Sequence, residues 1–204
     1  MAEELSYSLR RRTVLRSARL QRFFEYSVRD QSTTIEQMLQ EVTRDDLKAE
    51  LLFRAIEAAK DSISEIKLQV LARAFATGAF AADEAVVDQS ILIVEAISQL
   101  EAHHLRVLNI LCGESTTHFD SSGAPVEEPV ASELRNCWSD EQIAQADPGV
   151  AAVVNALTAR LNNLGMLHDD SRSRLGIDVA LWRLTVFGQA CANELHRLGT
   201  QSGG

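Results

Sequence analysis

An all-α protein with one small β-hairpin is the expectation for this 204-residue chain. Three observations lead there. Ala and Leu, both strong helix formers, are abundant, while aromatic residues make up only 5 %. Proline stands only at Pro125, Pro129 and Pro148, so helices can run uninterrupted nearly everywhere else. Apolar residues recur at three- and four-residue spacing behind a series of helix-starting signals. The apolar share of 46 % and charged share of 24 % suit a globular chain with a real core.

The elements follow in order. Residues 5–30 form a helix with Leu9, Thr13, Leu20, Phe23 and Phe24 roughly on one side. Arg10, Arg11, Arg12, Arg16, Arg19 and Arg22 make it the one strongly basic segment. Three roles suit those arginines: a solvated face, a nucleic-acid backbone contact, or an anionic membrane surface. Thr33 with Glu36 reads as a capping box, and the stripe Ile35, Met38, Leu39, Val42, Leu47, Leu51, Ala55 and Ala59 follows it. Ser62 with Glu65 reads as a second box, opening the stripe Ile63, Ile66, Val70 and Ala74 that ends near Gly78. Asp83 caps a helix through Val87, Ile91, Val94, Ser98, Leu105 and Leu108 to Cys112, about 28 residues or roughly 40 Å long.

Residues 113–137 are rich in Ser, Thr, Gly and Pro and read as a loop or linker. It separates a helical N-terminal region, 1–112, from a domain at 138–204 whose first helix is shared with 97–112. In that domain Ser139 with Gln142 starts a short helix. Asp147 and Pro148 start a second, carrying Val150, Val153, Val154, Leu157, Leu161 and Leu164 and stopped by Gly165. MLHDD reads as a strand, SRSRLGIDV as a hairpin tip and ALWRLT as the returning strand. Thr185 then caps a last helix. Trp138 and Trp182 are expected to anchor this core.

The phrases LTARLNNLGMLH and LWRLTVFGQACANEL resemble the winged-helix pattern of MarR-like and PadR-like regulators. The resemblance covers roughly residues 97–198. It implies a helix-turn-helix with its reading helix at 149–164 and a wing at 168–183. Contacts to DNA would then come from Asn155, Thr158, Arg160, Asn162, Asn163, Arg172, Arg174 and Arg183. The overall layout also resembles uncharacterised bacterial proteins with helical N-termini and such a C-terminal domain, a similarity that implies no activity.

Charge points elsewhere. The net charge is −9, whereas a protein that neutralises phosphates is normally basic. Residues 98–204 hold seven Arg, no Lys and thirteen Asp or Glu, a net of −6. The first functional expectation is therefore a non-enzymatic regulatory or scaffold protein acting through protein–protein contacts. The alternative is a winged-helix DNA-binding transcriptional regulator.

No nucleophile–base cluster, P-loop or dinucleotide fingerprint is legible, so no catalytic residue, cofactor or metal ligand is assigned. His103 and His104 are adjacent and point about 100° apart on a helix, which does not suit one ion. His118, Asp120 and Cys137 match no metal-site spacing. Cys112 and Cys191 sit on apolar stripes and read as core. Three sparse cysteines, no signal peptide and no long apolar window point to the cytoplasm with no transmembrane segment. The long apolar stripes suggest a homodimer.

Overall fold

The computed structural model describes residues 2–29, 31–113, 118–119, 125–126, 137–173 and 180–199. It is mostly helical, with nine α-helices among the described residues and a small antiparallel sheet in the C-terminal region. The chain divides into two compact units, Met1–Leu100 and Glu101–Gly204.

The first unit contains α1 (Ala2–Val28), α2 (Ile35–Val42), α3 (Asp46–Asp61), α4 (Glu65–Ala79) and α5 (Glu84–Ser98). A helix with apolar or small residues nearly all round has to be covered on all sides. That is the pattern of α4, where Leu68, Val70, Leu71, Ala72, Ala74, Phe75 and Ala79 are all buried. It packs against α1, α3 and α5. Phe23 of α1 meets Phe75 with ring centroids 5.5 Å apart. Full burial of side chains of this size is worth roughly 1.5–3 kcal/mol each.

Several helix starts differ from expectation. The capping box uses Thr34 and Gln37 rather than Thr33 and Glu36. The Gln37 side-chain oxygen accepts from both the Thr34 N–H and the Thr33 hydroxyl, so Thr33 stays outside the helix. Ser62 ends α3 instead of starting α4, which is capped by Ser64. Glu65 is drawn away to Arg22 and Tyr26 of α1. The stripe expected to continue from α2 breaks at residues 43–45, where Asp45 accepts from the Leu47 and Lys48 N–H groups and starts α3 afresh. Asp83 caps α5 as expected, with its carboxylate 3.0 Å from the Ala85 nitrogen.

The helix expected from Asp83 to Cys112 is two helices. α5 stops at Ser98, and α6 (Ala102–Leu111) starts after Glu101. The two compact units divide at this break, between Leu100 and Glu101, so α6 falls wholly in the second.

The second unit continues with β1 (His118–Phe119), β2 (Pro125–Val126), β3 (Trp138–Ser139), α7 (Asp140–Ala146), α8 (Val154–Asn163), β4 (Leu167–Asp169), β5 (Leu181–Leu184) and α9 (Val186–Gly199). β1 and β2 pair with each other. The remaining strands form a sheet in the order β3-β5-β4, antiparallel throughout. The expected hairpin is present as β4 and β5, and its tip at 174–179 lies outside the described residues. β3 was not expected. It places Trp138 opposite Trp182. The core gathers Leu105, Leu108, Ile143, Leu161, Met166, Leu181 and Cys191, with α6 packed against α7, α8 and α9. No described helix is long and apolar enough to cross a membrane.

Candidate functional site

The residues singled out for contact lie on α8 and at the β4–β5 hairpin. α7 is set by the Ser139–Gln142 capping box, as the spacing implied. Asp147 then does something other than start a helix. Its carboxylate accepts from the Gly149 N–H at 3.0 Å and from the Arg106 guanidinium, closing a tight turn. Buried Val150 and a 3-10 turn at Ala151–Val153 follow, so the reading helix expected at 149–164 is regular only over Val154–Asn163.

One predicted contact residue is not on the surface. Thr158 is fully buried, and its hydroxyl lies 3.1 Å from the Val154 carbonyl and 3.3 Å from an Asp140 carboxylate oxygen. The same Asp140 oxygen accepts from the Trp182 indole N–H at 2.8 Å. The network ties α7, α8 and β5 together, which gives Thr158 a structural part. Asn162 is half-buried, while Asn155, Arg160 and Asn163 are exposed. Between them the outer surface is carried by Ala151, Ala152, Val153, Ala156 and Ala159, with Val153 46 % exposed. Arg160 is the single cationic residue of α8.

At the hairpin, Arg183 donates to Asp170 at 3.1 Å. Asp170 is itself nearly buried and lies 3.4 Å from the Cys137 sulfur and 3.5 Å from His168 Nε2. Asp169 accepts from the Ser171 N–H and hydroxyl and from the Leu181 N–H, fixing the base of the hairpin. Arg174 lies outside the described residues, as do the side chains of Arg172, Arg10, Arg11 and Arg12.

The rest of the basic segment is turned onto its own unit. Arg16 pairs with Asp61 at 2.9 Å, and Arg22 pairs with Glu65 at 2.7 Å. Arg19 donates to the Lys60 carbonyl at 3.0 Å, at the C-terminal end of α3 where a cation is favoured. Exposed pairs of this kind add about 1 kcal/mol or less each, yet together they set the α1 face against the α3–α4 corner.

Among the titrating groups, His104 Nδ1 accepts from the Glu101 N–H at 3.1 Å. Burial holds this imidazole below the ordinary 6.5, and Arg160 pushes the same way while the Glu101 carboxylate opposes. Burial pushes the Cys191 thiol up to about 12, with Glu194 adding to it, and burial also raises that of half-buried Cys112. The side chain of His118 lies outside the described residues, as does Asp120. Among the described residues no group of three or more His, Cys, Asp or Glu side chains converges as a metal site would. No protein-family model, curated protein or solved structure matches this chain.

Proposed function

We propose that residues 101–199 are a winged helix, and that the protein is a non-enzymatic regulatory or scaffold protein working through protein contacts. The support for the winged helix is connectivity. The order α6, β1, β2, β3, α7, α8, β4, β5, α9, with β1 and β2 paired only with each other and the other sheet ordered β3-β5-β4, places a helix pair before a hairpin and a short third strand against its returning arm. The helix pair α7–α8 corresponds to the helix-turn-helix and the β4–β5 hairpin to the wing.

The observation that carries the protein-contact reading is the outer surface of α8. Ala156 and Ala159 of α8, with Ala151, Ala152 and Val153 of the turn before it, set small apolar side chains between exposed Asn155, Arg160 and Asn163, so the surface carries one cation where a DNA reader normally sets several polar and basic groups against base edges and phosphates. Arg183 is already neutralised by Asp170. The alternative, a DNA-binding regulator, rests on exposed Asn155 and Arg160.

The test is crosslinking in cells. A photo-reactive phenylalanine analogue in place of Ala156 is expected to give a discrete heavier adduct with protein. The same analogue in place of exposed Asp88 of α5 serves as the comparison. Equal, diffuse labelling from both positions contradicts the reading.

A further inference from the structure

Residues 5–24 hold six Arg and no Asp or Glu, in a chain whose net charge is −9. They lie in α1, where Arg16, Arg19 and Arg22 are held by Asp61, the Lys60 carbonyl and Glu65. Residues 13–18 are nevertheless all exposed, with Val14 at 65 % and Leu15 at 46 %. Six consecutive residues pass more than once around a helix, so this stretch has no covered face. A helical segment without tertiary packing is marginal in water.

A face of opposite character stands on α5. Its sequence carries three acids, Glu84, Asp88 and Glu95, and no Lys or Arg. Glu95 pairs with Arg54 of α3. Glu84 and Asp88 are exposed and make no ion pair among the described residues. Leu92, 55 % exposed, stands one turn from both Asp88 and Glu95 on the same helix. Phe53, 61 % exposed, neighbours Arg54 on α3. The two helices run in the same direction, because Leu51 and Ser90 both close on Gly78 while Arg54, further along, meets Glu95. Phe53 and Leu92 therefore stand at about the same level, beside that ion pair.

We propose that the first half of α1 from one copy lies against Phe53, Leu92 and the α5 acids of a second copy, and reciprocally. Both surfaces belong to the first unit. A two-fold exchange of unlike surfaces covers both at once. Pairing α5 with α5 would instead set acids against acids. Apolar burial supplies affinity, and the opposite charges fix which surface meets which.

The test follows the mass of the full chain in solution. The dimer is expected to weaken between about 50 and about 500 mM salt, which screens exposed charges. Arg10→Glu with Arg11→Glu and Arg12→Glu, and separately Glu84→Lys with Asp88→Lys, are each expected to raise Kd about tenfold or more. Mixed one to one, the two variants are expected to pair with each other as the wild type does, because each α1 then meets a face of opposite sign. Leu92→Lys, at an exposed position, is expected to weaken the dimer without unfolding the chain. A photo-reactive residue at position 88 is expected to give an adduct of twice the chain mass in cells, and adducts only of other masses overturn the proposal. A wild type that is monomeric at high micromolar concentration overturns it, whether or not its arginines then bind nucleic acid. So does a dimer that neither charge reversal nor Leu92→Lys weakens, and so do two reversed variants that stay monomeric when mixed.

Discussion

Single residues decide more here than the stripes do. Gly188 stands in the first turn of α9, where a Cβ would lie 1.9 Å from the Met166 carbonyl oxygen. That oxygen also accepts from the Thr185 N–H. Backbone cannot move aside as a flexible side chain can, so Gly188→Ala is expected to destabilise the protein by about 1–3 kcal/mol, read by urea denaturation. A midpoint equal to the wild type would show that α9 does not sit this close to β4. His104 gives a pH dependence. Its folded-state pKa lies below the unfolded 6.5, so its contribution is full above 6.5 and is lost as pH falls through the lower folded value. The melting temperature of the wild type is expected to fall between about pH 7.5 and about pH 5. His104→Gln keeps an acceptor for the Glu101 N–H and is expected to flatten that slope. An unchanged slope would place the effect on other groups. The thiols make a third case. At about pH 8 native protein is expected to take an alkylating reagent at half-buried Cys112 first, and at buried Cys137 and Cys191 only after unfolding. Intact mass with and without urea reads this, and three equal labelling rates in the native state would contradict it.

At the scale of elements, legibility followed local chemistry. Asp83 and the Ser139–Gln142 box could be read because a cap and its helix are a few residues apart. The start of α9 could be read for a related reason. Gly165 takes a φ of +72° that L residues rarely adopt, and the Thr185 hydroxyl donates to its carbonyl and accepts from the Gly188 N–H. The two quoted phrases are thus the two sides of one hydrogen-bonded junction. The boundaries that were missed depend on partners far away in sequence. Glu65 goes to Arg22 and Tyr26, Asp147 to Arg106, and the Leu100 carbonyl after α5 accepts from Lys67. β3 is two residues long, too short for a period-two pattern to exist, and only its pairing with β5 makes it a strand. Of the candidate contact residues, Asn155 and Arg160 are on the surface as read. Thr158 was misplaced because the spacing of a polar residue does not show that Asp140 and the α8 carbonyls will take its hydroxyl.

For the whole molecule the distribution of charge and apolar surface matters most. Phe53, Ile63, Ile66 and Leu92 are all more than half exposed on the first unit. A contiguous apolar patch marks an association surface whereas scattered apolar side chains do not, and the homodimer suggested by the long apolar stripes is tested by mass in solution. Light scattering at high micromolar concentration should return twice the chain mass of 22.5 kDa, and a monomer there would contradict it. The α8 face is expected to meet protein rather than DNA. Phosphate contacts strengthen as salt falls, so an electrophoretic mobility shift with mixed genomic fragments at low ionic strength is the most permissive test for DNA binding. No retarded band is expected at low or moderate salt. A band that forms at low salt, weakens as salt rises and is lost in Arg160→Ala would contradict it.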